Sequence, residues 1–316
     1  MAKFLVTGGA GFIGSNVVHA LVAKKHRVVV LDNLLTGSAK NLSECGKKIQ
    51  FIKGDIRNLK TVKRAMRGVD YCIHLAALPS VPLSCEHPDK SHDMNINGTF
   101  NIFFAAKESR IKRVVYASSS AVYGDTKVLP KHEKIIPSPL SPYALQKLNN
   151  EQYAKMFYDL YKVPVIGLRY FNVFGPYQDP ASFYAAAIPK FIVSLLDGKV
   201  PTIYGDGFQS RDFTYVQNVV LANLKACRAP RKALGEVYNI GCGSRVDLNT
   251  LGRILKKHIK TDVSFRYDAP RVGDVKHSHA DIRKAKRLLG YKPSVGLEEG
   301  IKKTILWYQL SPYCRS

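Results

Sequence analysis

Two groups of residues in this chain have the types and spacing for chemistry. Thr7-Gly8-Gly9-Ala10-Gly11-Phe12-Ile13-Gly14 puts glycines at 8, 11 and 14. In that spacing Gly8 permits a tight turn, Gly11 lets backbone approach a pyrophosphate, and Gly14 lets a helix pack on the strand before it. Tyr143 and Lys147 stand four residues apart, so on a helix they share a face. An ammonium beside a phenol, together with the positive ring of a bound nicotinamide, favours phenolate and lowers a pKa that is about 10 when unperturbed. The resulting tyrosinate is a general base near neutral pH. The chain holds two further pairs of this kind, Tyr123 with Lys127 and Tyr158 with Lys162, and position decides among them. Gly124 follows Tyr123 into a loop, and Tyr158 lies at the far end of its helix. Tyr143 follows Ser141-Pro142, residues that suit a helix start. Ser120 closes a triple serine at a strand end, where it could hydrogen-bond the same substrate hydroxyl. Ser118 and Ser119 are read as loop residues that cap backbone.

These residues need elements to hold them. Lys3 to Val6 form an apolar strand, and Phe12 to Ala23 show helical spacing, with Ile13, Val17, Val18, Leu21 and Val22 on one face. The helix start offers free amides to phosphates. A second strand, Arg27 to Leu31, ends at Asp32, 18 residues beyond Gly14. A carboxylate there binds adenine-ribose hydroxyls and repels a 2′-phosphate, which favours NAD over NADP. Further strands are expected at Phe51-Ile52-Lys53, Tyr71 to Leu75 and Val114 to Ala117, with amphipathic helices between them. The fold class is α/β: a Rossmann-type doubly wound parallel sheet with a smaller C-terminal substrate-binding α/β domain. Its ligands bind at the carboxyl ends of the strands. From about Tyr170 the pattern turns irregular, with proline loops and a helix from Ile188 to Leu196, while Phe213 to Cys227 and Val237 to Ile240 read as a return to the sheet. The expected division is 1–170 with 213–243 for NAD, and 171–212 with 244–316 for a nucleotide sugar.

Composition narrows the class. A chain of 316 residues with 46% hydrophobic content supports a large core and two domains. No apolar run reaches the ~18 residues of a membrane span, and no signal-peptide pattern precedes the first strand, so a cytoplasmic protein is expected. Cys45, Cys72, Cys85, Cys227, Cys242 and Cys314 contain no CxxC pair and sit mostly in apolar segments, the pattern of reduced, buried thiols. The 48 Lys and Arg exceed the 24 Asp and Glu, for a net charge of +24. No nucleic-acid-binding motif accompanies this charge, and in 47–67 and 253–303 the basic residues interleave with apolar ones as on solvated helix faces. Such a field also steers an anionic nucleotide substrate. His277, His279 and Asp281 do not complete a ligand set, so no metal is expected.

The chain resembles the extended short-chain dehydrogenase/reductases, and within them the UDP-hexose 4-epimerases of the UDP-N-acetylglucosamine type. The likeness runs through TGGAGFIG, LDN at 31–33, GDI at 54–56, HLAA at 74–77, SSSAVYG at 118–124, SPYALQK at 141–147, LRYFNVFGP at 168–176, GDGFQSRDF at 205–213 and GDVKHSHAD at 273–281. It implies catalysis by Ser120, Tyr143 and Lys147. It implies NAD contacts from Gly8, Gly11, Phe12, Ile13, Gly14, Asp32, Asn33, Asp55, Ile56, Leu75, Ala76, Ala77, Asn95 and Ser118, as well as from Tyr143 and Lys147. The UDP-sugar is implied to meet Ser80, Ser120, Asn172, Arg211, Arg271, Asp274 and Ser278. Two arginines suit a pyrophosphate, since each planar fork binds phosphate bidentately. Sugar dehydratases of this superfamily carry an acidic pair after the active-site hydroxyl, where this chain has Ala121-Val122. The resemblance further implies a homodimer formed through the Tyr143 helix and its neighbour. Ser278 matches a position held by tyrosine in glucose-only epimerases and by a small residue in those that accept an acetamido group. The expected reaction is therefore UDP-N-acetylglucosamine to UDP-N-acetylgalactosamine, with UDP-glucose and UDP-galactose as a further pair, through a transient 4-keto sugar and without net redox. A UDP-glucuronate 4-epimerase is the enzymatic alternative, and a catalytically inactive Rossmann protein that binds RNA is the alternative of another class.

Overall fold

The computed structural model describes residues 1–180, 187–270 and 275–311. In the first half, strands alternate with helices: β1 (Lys3–Thr7), α1 (Phe12–Ala23), β2 (Arg27–Asp32), β3 (Ile49–Lys53), α2 (Leu59–Met66) and β4 (Tyr71–His74). Then come α3 (Val81–Glu86), α4 (Pro88–His92), α5 (Gly98–Ser109), β5 (Arg113–Ser119), α6 (Pro142–Tyr161) and β6 (Val165–Tyr170). Beyond them lie β7 (Val173–Phe174), α7 (Ala187–Leu196), β8 (Thr202–Tyr204), β9 (Ser210–Arg211), β10 (Thr214–Tyr215), α8 (Val216–Cys227) and β11 (Glu236–Ile240). The described chain closes with β12 (Val246–Asp247), α9 (Leu248–Ile259), β13 (Arg266–Asp268), α10 (Arg283–Leu289) and α11 (Leu297–Leu310).

Seven strands form one sheet in the order β11-β6-β5-β4-β1-β2-β3, and every pairing in it is parallel. Side chains alternate across a strand, and here both faces are covered by helices. Phe4, Val6, Val28 and Val30 therefore join one apolar cluster with α1 and α8, while Leu5, Val29 and Leu31 join another with α2, α5 and α6. The order reverses direction at β1 and β4, which opens a crevice over their carboxyl ends. The 213–227 segment reaches the sheet mainly as helix α8, and β11 alone adds a strand beside β6. A third cluster, built on Phe191, Ile192, Leu251, Leu255 and Ile301, holds α7, α9 and α11 together beside that sheet.

The glycine turn follows from steric necessity at two points. Gly8 has φ +67°, and a Cβ there would lie 2.7 Å from the Ala76 nitrogen. A Cβ on Gly14 would fall onto the Gly8 carbonyl. β1, the turn and α1 thus approach more closely than any side chain permits.

Candidate active site

A cleft of about 560 Å³ runs along the carboxyl ends of the central strands. Gly8, Gly11, Phe12, Ile13, Gly14, Asp32, Asn33, Ile56, Leu75, Ala76, Ala77, Ser118, Tyr143 and Lys147 line it, so most of the expected cofactor residues converge on one space. Gly11 caps α1 without a side chain, and the first turn contains no acidic residue. The positive helix end is therefore open to an anion. Asp32 is 7% exposed at the cleft, with its carboxylate oriented by the amides of Ala10 at 2.9 Å and Leu34 at 2.8 Å. Each oxygen keeps acceptor capacity for a ribose hydroxyl. The close-packed glycines, the uncapped helix start and the carboxylate fit a dinucleotide.

Not every expected residue reaches the cleft. Asp55 sits one layer behind: it accepts from Asn33 at 2.9 Å and forms an ion pair with Arg57 at 2.9 Å. The Arg57 guanidinium holds its carboxyl down at about 2. Asn95 is fully buried and accepts from the Leu78 amide at 2.8 Å, while its own amide donates to Gln146 at 2.8 Å. Its side chain holds the Leu78 loop and does not line the cleft.

The serine assignment shifts by one residue. β5 extends past Ala117, because Ser118 and Ser119 still pair with Arg169 and Tyr170 of β6. The residue at the strand end is therefore Ser119, which lines the cleft together with Tyr143 and lies near enough to its phenol to favour the phenolate. Ser120 already belongs to the turn Ser120–Tyr123, whose start Ser119 caps by accepting from the Ala121 amide at 3.1 Å. Ser120 does not line the cleft. The two residues after Ser119 are Ser120 and Ala121, again without an acid.

Tyr143 is fixed by its helix start. Ser141 caps α6 by accepting from the Ala144 amide at 3.2 Å, Pro142 takes the first position, and the Tyr143 amide donates to Ser84 Oγ at 3.1 Å. Lys147 Nζ donates to the Ala117 carbonyl at 2.9 Å and stands 5.7 Å from the Tyr143 ring centre. Burial pushes the phenol up to about 12 despite the neighbouring Ser119 hydroxyl. Burial also pulls Lys147 down to about 8, against the charge of Glu151. The lysine by itself does not lower the tyrosine in this environment. Desolvation wins, and a further positive charge is needed at the phenol. The other two tyrosines are engaged elsewhere: Tyr123 donates to Asn239 at 2.7 Å, and Tyr158 packs against the α5–α6 core.

A second cavity of about 480 Å³ adjoins the first, Val173 lining both. Asn172, Lys190, Tyr204, Gln209 and Arg211 give it polar and cationic walls, with Phe191 and Phe213 beside them. Arg211 Nη1 donates to the carbonyls of Ser210 at 3.0 Å and Lys276 at 3.1 Å. Arg271 and Asp274 lie outside the described residues. Ser278 is buried and its amide donates to the Ser210 carbonyl at 2.9 Å, which sets it beside Arg211 but not on either cavity wall. Ser80 caps α3 by accepting from the Leu83 amide at 3.2 Å and lines neither cavity. Asp281 is paired with Arg283, and His277 with Ser210. Among the cysteines, Cys45, Cys72 and Cys227 are buried, whereas Cys85 is exposed.

The proline-containing loop through Gly175-Pro176 and Asp179-Pro180, whose sequence suits a substrate lid, borders the first cleft. Tyr177, Gln178 and Asp179 line it. Tyr177 adopts φ +68° and stacks on His19 with ring centres 5.3 Å apart, while Trp307 of α11 lies 5.3 Å away on tilted planes. Asn16 donates to the Pro176 carbonyl at 3.0 Å. This contact depends on a distant helix, so only the proline-bounded loop signal could have indicated it.

Residues 4–241 match the model of the NAD dependent epimerase/dehydratase family. The chain is 41% identical over 305 residues to a putative UDP-glucose 4-epimerase of Methanocaldococcus jannaschii, covering 96% of this chain and 97% of the other. It is similar to the structure of UDP-N-acetylglucosamine 4-epimerase from Methanobrevibacter ruminantium M1 in complex with UDP-N-acetylmuramic acid, with 40% identity, TM-score 0.94 and 98% of each chain covered. A mutant UDP-glucuronic acid 4-epimerase from Bacillus cereus, in complex with UDP-4-deoxy-4-fluoro-glucuronic acid and NAD, is 32% identical with TM-score 0.91, covering 98% of this chain and 100% of that one.

Proposed function

The chain belongs to the NAD dependent epimerase/dehydratase family, and we propose that, as a UDP-sugar 4-epimerase of that family, it interconverts the C4 epimers of UDP-N-acetylhexosamines. The observation that carries the chemistry is Tyr143 in the dinucleotide cleft, beside Ser119 and backed by Lys147, next to a second, cationic cavity. NAD in the first cleft supplies a hydride acceptor and, in its oxidised ring, the positive charge that the buried phenol lacks. Tyr143 takes the proton of the sugar's 4-hydroxyl, Ser119 holds that hydroxyl in line, and Lys147 stabilises the phenolate. Asn172 and Arg211 anchor the UDP, so the hexose of the transient 4-keto sugar is free to turn and present its other face. NAD held by the glycine turn and Asp32 would take the C4 hydride as the proton leaves and return it to the other face, where Tyr143 gives the proton back to the 4-oxygen, so no net redox change remains.

Ser278 supports the acetamido sugar. Its amide is bonded to Ser210, next to the cavity-lining Arg211, so a serine there crowds that wall less than the tyrosine of glucose-only epimerases would. Two copies pair through α5 and α6 in this reading, where Phe100, Leu145, Leu160 and Tyr161 are exposed. The test is separate incubation with UDP-N-acetylglucosamine, UDP-glucose and UDP-glucuronate, followed by chromatographic separation of the products. Turnover of the first supports the reading, and turnover confined to the glucuronate overturns the choice of hexose.

A further inference from the structure

Behind Tyr143 and Lys147 lies a buried ion pair that proton transfer itself does not use. Glu151 stands on α6 one turn beyond Lys147, so Tyr143, Lys147 and Glu151 follow along one helix face. Its carboxylate accepts from Arg169 Nε at 2.8 Å and Nη2 at 2.6 Å, with side chains only 4% and 7% exposed. It also accepts from the Ser118 hydroxyl at 2.5 Å. Two consecutive residues of β5 are thus each bonded to one residue of α6, Ala117 to Lys147 and Ser118 to Glu151, and the next, Ser119, lines the cleft with Tyr143. A buried pair of this kind is weak as a source of stability, since packed apolar residues often serve as well. Here its placement answers a different need.

The titratable and charged groups around Lys147 and Glu151 are Tyr143 on the same helix, His74 on β4, Tyr116 on β5 and Arg169 on β6. Burial holds His74 neutral and Tyr116 protonated. Glu151 is the anion within this group. We infer that Glu151 is a positioning residue for the base: anchored by Arg169, it fixes Ser118 and so the height of Ser119 in the cleft, and it places a buried negative charge one helical turn from Lys147. The inference rests on Tyr143 being the base, as proposed above.

Glu151→Gln strands the Arg169 charge and can unfold the protein. The double variant Glu151→Gln with Arg169→Met removes both charges and keeps a folded protein within reach. In the NAD-loaded enzyme, competitive acetylation of Lys147 by acetic anhydride across a pH series, read by mass spectrometry, titrates the amine without turnover. The midpoint should fall by about one pH unit in the variants, and the alkaline limb of kcat/KM should fall with it. An unmoved midpoint in the folded double variant overturns the inference, as does a fallen midpoint with an unmoved alkaline limb. Wild-type protein that turns over no UDP-sugar, with the labelling midpoint still falling in the variants, overturns the epimerase reading and supports the charge effect of Glu151.

Discussion

Replacing either of two adjacent serines with alanine should give opposite outcomes. Ser119 lines the cleft beside the Tyr143 phenol, whereas Ser120 starts the following turn and lines no part of the cleft. A hydrogen bond to a charged group contributes about 1.5–3 kcal/mol. As the phenol becomes phenolate and the sugar hydroxyl loses its proton, Ser119→Ala should therefore reduce kcat/KM by about 10- to 100-fold. Ser119 also caps the Ala121 amide at 3.1 Å, so the variant should lose about 1 kcal/mol of stability as well. Ser119→Thr keeps the hydroxyl and serves as the control. Ser120→Ala should stay within about twofold of wild type in kcat/KM, surface-like substitutions away from such contacts being nearly neutral. Steady-state kinetics and thermal unfolding of the three variants decide the matter. A large loss in Ser120→Ala with Ser119→Ala close to wild type would refute the placement of the hydroxyl at Ser119.

Gly14→Ala puts a methyl group on the Gly8 carbonyl, which should cost about 1–3 kcal/mol through a displaced turn and leave the purified protein with less bound NAD by absorbance; an unchanged unfolding temperature with full occupancy would contradict the packing argument. Lys147 has its folded pKa depressed from 10.5 to about 8, so between those values the unfolded chain binds more protons and stability rises with pH, by about 3 kcal/mol in all. Lys147→Met should lack that rise, and urea unfolding below and above the window measures it; parallel pH dependence in both proteins would show that Lys147 is not depressed. Ser278→Tyr should lower the kcat/KM ratio of UDP-N-acetylglucosamine to UDP-glucose by filling the acetamido space, and an unchanged ratio would remove Ser278 as the gatekeeper.

What was legible in the sequence is what local geometry dictates. The Gly8, Gly11 and Gly14 spacing, the strand ending at Asp32 and the Ser141-Pro142 start before Tyr143 each encode their structure within a few residues, and all of them meet at one cleft. Misplacements came where pairing across the sheet decides the outcome. β5 runs two residues beyond Ala117 because β6 continues to pair with it, which moves the strand-end hydroxyl from Ser120 to Ser119. Asn95 and Asp55 have the right types for ligand contact but find protein partners in Leu78, Gln146 and Arg57. Glu151 looks like an ordinary charged residue on an amphipathic helix, and only its spacing from Tyr143 and Lys147 hinted at a buried role. Its partner Arg169 comes from β6, a contact that no periodicity within α6 reveals.

The decisive measurement follows a label at C4. UDP-N-acetylglucosamine carrying deuterium at C4, incubated with the NAD-loaded protein in ordinary water, should yield UDP-N-acetylgalactosamine that retains the deuterium at C4, with no accumulation of NADH. Such retention means that the hydride leaves and returns on the enzyme while Tyr143 carries only the hydroxyl proton. Product in which C4 has exchanged with solvent, or a stoichiometric build-up of NADH with a keto sugar, would contradict 4-epimerisation by hydride removal and return.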